Sequence, residues 1–287
     1  VVEAGDNKVS MLPDFASINQ GDHVILCIPF KNDTTWVECT SQKIPFGYLG
    51  NFTDDRIVLA CTPQGGKLMH TPKYTAKQNI QARTANFTLN DKGELTGNML
   101  TSFKGLQYED REGAVEESPV ERNKIILQTY PINNLIIKNL DIKQDKGSQP
   151  VTTENINLQA RDYGSADNGK LYFMLNSFNR ISQAPQQVRN RQNDVYINDG
   201  FTDDDEITYK LPTGYRNEKI PLNVTIEKPF GKFTAIMKVK DGQLVYKRQL
   251  QIIDGTYSKE LYPELVDFYQ AVADADHYNV TLIKTAN

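Results

Sequence analysis

Apolar and polar residues alternate with period two over much of this chain, the mark of half-buried β-strands. The clearest stretch is the last third. Leu222, Val224 and Ile226 alternate with polar neighbours, then Phe233, Ala235, Met237 and Val239, then Leu244, Tyr246, Leu250 and Ile252. Asp241-Gly242 between the last two runs is a two-residue hairpin signal, so the three runs predict an antiparallel meander. Earlier, Ala85, Phe87 and Leu89, a turn at Asp91-Lys92-Gly93, and Leu95, Met99 and Phe103 predict another hairpin. Further strands are expected at 135–143, 153–160, 170–176, 193–198, 206–211 and 279–284.

Two helices interrupt this pattern. Ser118-Pro119-Val120-Glu121 is a capping box with proline at the first helical position, which predicts a helix near 119–130 that stops at Pro131. Pro263 opens a second, near 263–275, with Leu265, Tyr269 and Val272 on one face. Before residue 75 the pattern is shorter and more aromatic. Residues 23–28, 34–40 and 56–61 read as strands, Lys31-Asn32-Asp33 and Gly65-Gly66 as turns, and 45–50 as an ordered loop. The pattern lapses at 70–78, which predicts two units, 1–75 and 76–287. The expected fold class is mainly β: a small β-subdomain, then an antiparallel β-sandwich-like domain with two helices.

Composition narrows the function. Hydrophobic residues make up 39% and charged residues 24%, typical of a chain that buries a core. A net charge of −4 argues against a strongly basic nucleic-acid footprint. No apolar run reaches the roughly 20 residues of a membrane-spanning helix. The start Val1-Val2-Glu3, with neither Met nor a signal-peptide pattern, reads as a piece of a longer parent. Cys27, Cys39 and Cys61 are too few and too scattered for a disulfide framework or a zinc site, and Cys27 and Cys39 are expected to be buried within strands. No metal or cofactor is implied. The Asn-x-Thr sites at Asn32, Asn51, Asn86, Asn223 and Asn279 are expected from an Asn- and Thr-rich composition.

Of three histidines, His23 is the one in a suggestive setting. Glu38 lies 15 residues on, near the end of the next strand. A five-residue loop at 29–33 would set residue 23 opposite 39 and make the two neighbours. A two-residue loop at 32–33 would pair 23 with 42 and separate them. A His held by a carboxylate is the orienting half of a Cys–His–acid triad, but no cysteine here sits at a helix start, where thiolates are favoured. Cys39 facing His23 would be a mid-strand dyad without the usual nucleophile geometry. The acidic run Asp199 with Asp203, Asp204, Asp205 and Glu206 lacks calcium-loop spacing and is expected to be a solvated turn. Arg180, Arg189 and Arg191 are expected in a mobile loop, and His70 and His277 at the surface.

The block His23-Val24-Ile25-Leu26, Trp36-Val37-Glu38-Cys39-Thr40-Ser41-Gln42 and Pro45-Phe46-Gly47-Tyr48-Leu49 resembles the end of a bacterial transglutaminase-like core. Leu211-Pro212, Gly214-Tyr215, the meander and Tyr262-Pro263-Glu264-Leu265 resemble the β-rich domain of unknown function that follows that core. The resemblance implies that His23 is the triad histidine and that Glu38 holds the acid position, where the family usually has Asp. It implies amide acyl transfer or peptide hydrolysis in the intact parent. The nucleophilic Cys would lie upstream, so the isolated chain would be inactive. Its partners would be the upstream half of the parent and a protein or peptide substrate, with glycan a further candidate, in the periplasm or cell envelope. The alternative is a non-catalytic β-sandwich module for binding or scaffolding in the bacterial envelope.

Overall fold

A computed structural model describes residues 1–5, 8–31, 33–218 and 220–285. Asn32, of the first Asn-x-Thr site and its turn, lies outside the described residues. In the first part, β1 (Leu26–Pro29) pairs with β2 (Thr34–Val37), and β3 (Ile57–Thr62) with β4 (Gly65–His70); a single helical turn, α1 (Gly50–Thr53), lies between the two hairpins. Gly65 and Gly66 open β4 rather than forming the turn. A small cluster of Val2, Ile25, Trp36, Leu49 and Val58 fills this part.

From residue 80 the chain builds a large sheet. Its strands are β5 (Ile80–Leu89), β6 (Leu95–Lys104), β7 (Leu135–Asp145), β8 (Val151–Ala160), β12 (Phe201–Lys210), β14 (Asn223–Lys228), β15 (Gly231–Lys240) and β16 (Gln243–Ile252). Their spatial order is β14-β15-β16-β12-β5-β6-β8-β7. The meander β14-β15-β16 and the hairpin β5-β6 follow the expected alternation. Asp241 and Gly242 take φ of 50° and 73°, the left-handed pair that a tight primed turn requires. One joint, β12 to β5, is parallel, so the sheet is mixed.

A second sheet runs β13 (Tyr215–Asn217), β18 (Asn279–Lys284), β10 (Lys170–Met174), β9 (Gly164–Asp167). A short pair joins β11 (Val195–Ile197) to β17 (Gly255–Tyr257). The C-terminal helix α4 (Tyr262–Asp276) buries Leu265, Phe268 and Val272 in the same core as Phe87, Tyr209, Phe233, Tyr246 and Leu282. Helix α3 (Pro119–Thr129) starts as its capping box dictates: Ser118 Oγ accepts from the Glu121 N–H at 3.3 Å. A 3-10 segment (Gly105–Arg111) and a short helix, α2 (Glu112–Val115), lead into it. The protein is mainly β, with few helices.

The acidic run corrects the sequence expectation. Asp203 to Glu206 are not a solvated turn but part of β12, where alternation turns Asp203 and Asp205 inward and leaves Asp204 and Glu206 outside; Asp199 precedes the strand. Asp205 is buried in a row that crosses five adjacent strands in register: Arg248, Asp205, Arg83, Thr101, Glu154. Arg83 Nη1 donates to Asp205 Oδ1 at 3.1 Å and Arg83 Nε to Thr101 Oγ1 at 3.2 Å. Arg248 grips Asp276 of α4 with two bonds of 2.8 and 2.9 Å. At the other end Arg111 Nε and Tyr130 Oη each donate to Glu154 at 2.6 Å. Alternating charges thus satisfy one another where water does not reach.

Candidate functional site

His23 is fixed by its backbone before its side chain matters. Its N–H donates to the Val2 carbonyl at 3.0 Å, and its carbonyl accepts from the Val2 N–H at 2.9 Å. The β1–β2 ladder begins only at Leu26, opposite Val37, and its loop is the four residues 30–33. Continuing that register would set His23 opposite Thr40, between the two registers expected from sequence. Glu38 then lies diagonally across, on the same face. A diagonal neighbour is ~7–8 Å away at the backbone, within reach of a long side chain. This accounts for glutamate here: its extra methylene spans the diagonal.

The reach succeeds. His23 Nε2 lies 2.8 Å from Glu38 Oε2. The other carboxylate oxygen, Oε1, accepts from the Thr40 N–H at 2.9 Å and the Thr40 hydroxyl at 2.7 Å. The Glu38 side chain is 2% exposed and the His23 side chain 15%. Burial by itself pushes the Glu38 carboxyl up, but Thr40 and His23 outweigh it and hold the group below its ordinary 4.5. The carboxylate is therefore ionised at neutral pH, and Nε2–H is the donor. That leaves Nδ1 as the basic nitrogen, and it has no hydrogen-bond partner among the described residues. The Phe52 ring of α1 meets the imidazole edge-on at 5.2 Å and fixes its plane.

A group with a depressed folded pKa stabilises fully above its unfolded value, and that contribution is lost as pH falls through the folded value. Stability is accordingly expected to decline below about pH 4.5. Glu38→Gln is expected to remove part of that acid-limb slope. Urea midpoints at pH 3, 4, 5 and 7 for both proteins check this; an unchanged slope would show that the His23–Glu38–Thr40 set is not linked to folding.

None of the three cysteine sulfurs is hydrogen-bonded to the His23 ring. Cys27 is half-buried, whereas Cys39 and Cys61 are exposed, which corrects the expectation of a buried Cys39. Glu38 takes the inward position at the end of β2, so the next residue faces out. The remaining candidates lie elsewhere. His70 Nδ1 bonds the Thr71 carbonyl and His277 Nδ1 the Ala273 carbonyl at the end of α4. Arg191 stacks over the Tyr262 ring at 4.4 Å. Asp199 meets Lys8, which also bridges to the buried Asp54, each at 2.7 Å. Lys73 joins Asp55 at 3.0 Å to Asp254 at 2.6 Å in the same way. These two lysines tie the first 75 residues to the segments just before β12 and just after β16. Burial pushes the Asp54 carboxyl up to about 6 despite Lys8. Among the described residues, no group of three or more His, Cys, Asp or Glu is placed to hold a metal ion, and no helix is long and apolar enough to cross a membrane.

The fold and this site define a mainly β protein carrying a His–Glu pair on its small N-terminal hairpin. Residues 169–282 match the family model of DUF3858, a domain of unknown function with a solved structure. That match takes in β10 to β17, helix α4, the meander and most of β18, and leaves out β9 of the second sheet. A solved structure from Parabacteroides distasonis, described as a "putative protease", is 15% identical over 41% of this chain and 24% of its own length, with a TM-score of 0.35. No curated protein matches.

Proposed function

We propose that residues 1–75 are the closing part of a transglutaminase-like core and that 76–287 form its β-rich accessory domain. In this reading His23 is the general base and Glu38 the residue that fixes its tautomer. The observation that carries it is the His23 Nε2–Glu38 Oε2 contact of 2.8 Å, with Oε1 anchored by Thr40 and Nδ1 left free. Nδ1 takes the proton of a cysteine thiol supplied from outside this chain. The thiolate attacks a carboxamide carbon, the imidazolium returns the proton to the departing amine, and a thioester remains. Water or a second amine then attacks the thioester and regenerates the thiol. Buried Glu38 stabilises the imidazolium that forms between the steps.

The surface of the first part supports a missing partner segment. Nine of the seventeen large hydrophobic side chains left exposed among the described residues fall within the first 70. They include Val24, Leu26 and Phe52, which lie beside His23 in sequence or touch its ring. Both hairpins there are two-stranded, an arrangement that is marginal without a further packing layer. Location in the periplasm or cell envelope belongs to the same reading. The test is amine incorporation into a glutamine peptide, and release of ammonia, by the full-length protein and its His23→Ala variant. Turnover in the first and none above background in the second is the expected result. Equal turnover in both would remove His23 from the chemistry, and no turnover in either would favour the scaffolding alternative.

A further inference from the structure

Four stretches of the sequence meet around a cavity of about 510 Å³ where the first 75 residues abut the large sheet. The loop before α1 contributes Tyr48. The segment leading into β5 contributes Tyr74, Lys77 and Ile80, the end of β6 contributes Lys104, and the β7–β8 loop contributes Gln149. The volume falls in the range typical of small-ligand sites. Two tyrosines form its aromatic side: Tyr48 and Tyr74 lie 5.7 Å apart, and the Tyr48 hydroxyl is occupied by the Gly105 carbonyl. Gly105 keeps this wall closed, since a Cβ there would sit 2.5 Å from the Gln78 carbonyl.

Charge sets this cavity apart. No carboxylate lines it, although the whole chain carries −4. Lys77 and Lys104 are exposed and have no acidic partner among the described residues, unlike Lys8 and Lys73 nearby. The cavity on the other side of the Gly105–Arg111 segment is the reverse, with Asp110, Asp199 and Asp203 in its lining and no lysine or arginine. Two unpaired ammonium groups beside Tyr74 and Ile80, flanked by the carboxamides of Gln78 and Gln149, match a ligand with separated carboxylates and an apolar middle.

We propose that this seam cavity binds a short acidic peptide, its carboxylates on Lys77 and Lys104 and its apolar segment against Tyr48, Tyr74 and Ile80. The proposal stands independently of the His23–Glu38 reading, because its test reads binding and not turnover. The probe is acetyl-Glu-Leu-Glu-amide, titrated into this chain with amide NMR shifts as readout. The neutral acetyl-Gln-Leu-Gln-amide and trigalacturonate serve as comparisons. Shifts are expected at Gly47, Gly105 and Gln149. Affinity is expected to fall about tenfold for the neutral peptide, and equally for Lys77→Gln/Lys104→Gln, since either change removes both charge pairs at once and tenfold is about 1.4 kcal/mol. The pair Lys92→Gln/Lys238→Gln, exposed lysines elsewhere, is expected to bind as the parent does. The proposal is overturned by absent binding, by equal binding of acidic and neutral peptides, by equal losses in both lysine pairs, or by trigalacturonate binding in place of the peptide. Unfolding midpoints of all variants separate lost binding from lost folding.

Discussion

Asp276→Ala is expected to cost about 3–5 kcal/mol of unfolding free energy, because it strips a buried arginine of its partner. Asp276 is wholly buried and does three things at once. It takes both bonds of Arg248, accepts from Asn176 Nδ2 at 2.8 Å, and accepts from the Ile181 N–H at 2.9 Å. It thus ties the C-terminal end of α4 to β16 and to the start of the 176–194 segment. Removing it leaves the Arg248 charge with Asp205 alone, at 3.4 Å. The double variant Arg248→Met/Asp276→Leu is expected to recover much of the loss, since two apolar side chains desolvate cheaply where one orphaned charge does not. Urea unfolding of the three proteins measures both effects. A loss below about 1 kcal/mol for Asp276→Ala would show that the charged row does not fasten the helix.

Glu38→Gln is expected to lower turnover of the full-length protein by ~10⁴-fold, the scale seen when the acid of a His–acid pair is neutralised. Glutamine keeps the shape but cannot balance the imidazolium. Glu38→Asp tests the diagonal register instead. Aspartate keeps the charge and withdraws it by about a bond length, and a misplacement of order 1 Å costs ~100-fold. The order wild type, Asp, Gln in kcat, with KM little changed, is the expected pattern. Asp equal to wild type would mean that the reach across the diagonal is not what selects glutamate.

Much of the fold was legible because its strands are half-buried. The meander from Leu222 to Ile252, the Asp241-Gly242 turn, the 91–93 turn and the Ser118 cap all rest on local signals, and the structure places them where those signals lie. Three features were not legible for a shared reason: each depends on which strands become neighbours. The parallel joint of β5 and β12 links residues more than a hundred positions apart. The charged row exists only once five strands align. Asp203 and Asp205 looked like a surface turn because their partners, Gln107 and Asn179 for Asp203 and Arg83 and Arg248 for Asp205, lie on other elements. Arginines at inward positions of otherwise apolar strands, 83 beside 85 and 87 and 248 beside 246 and 250, were the available signal. At the candidate site, the residue pair was legible from spacing. Its register was not, since four residues separate the paired Pro29 and Thr34, where spacing allowed a loop of five or of two. The role of Thr40, which holds Glu38 still, needed coordinates.

In the proposed function His23 serves a cysteine thiol. Alkylation of the full-length protein by iodoacetamide near pH 6, followed by peptide mapping, tests it most directly. A thiol paired with an imidazolium is ionised well below its ordinary pKa near 8.5 and reacts at that pH. The expected result is one fast cysteine outside Cys27, Cys39 and Cys61, slowed about a hundredfold or more in His23→Ala. Uniformly slow labelling, or fast labelling indifferent to His23, would contradict this role of His23.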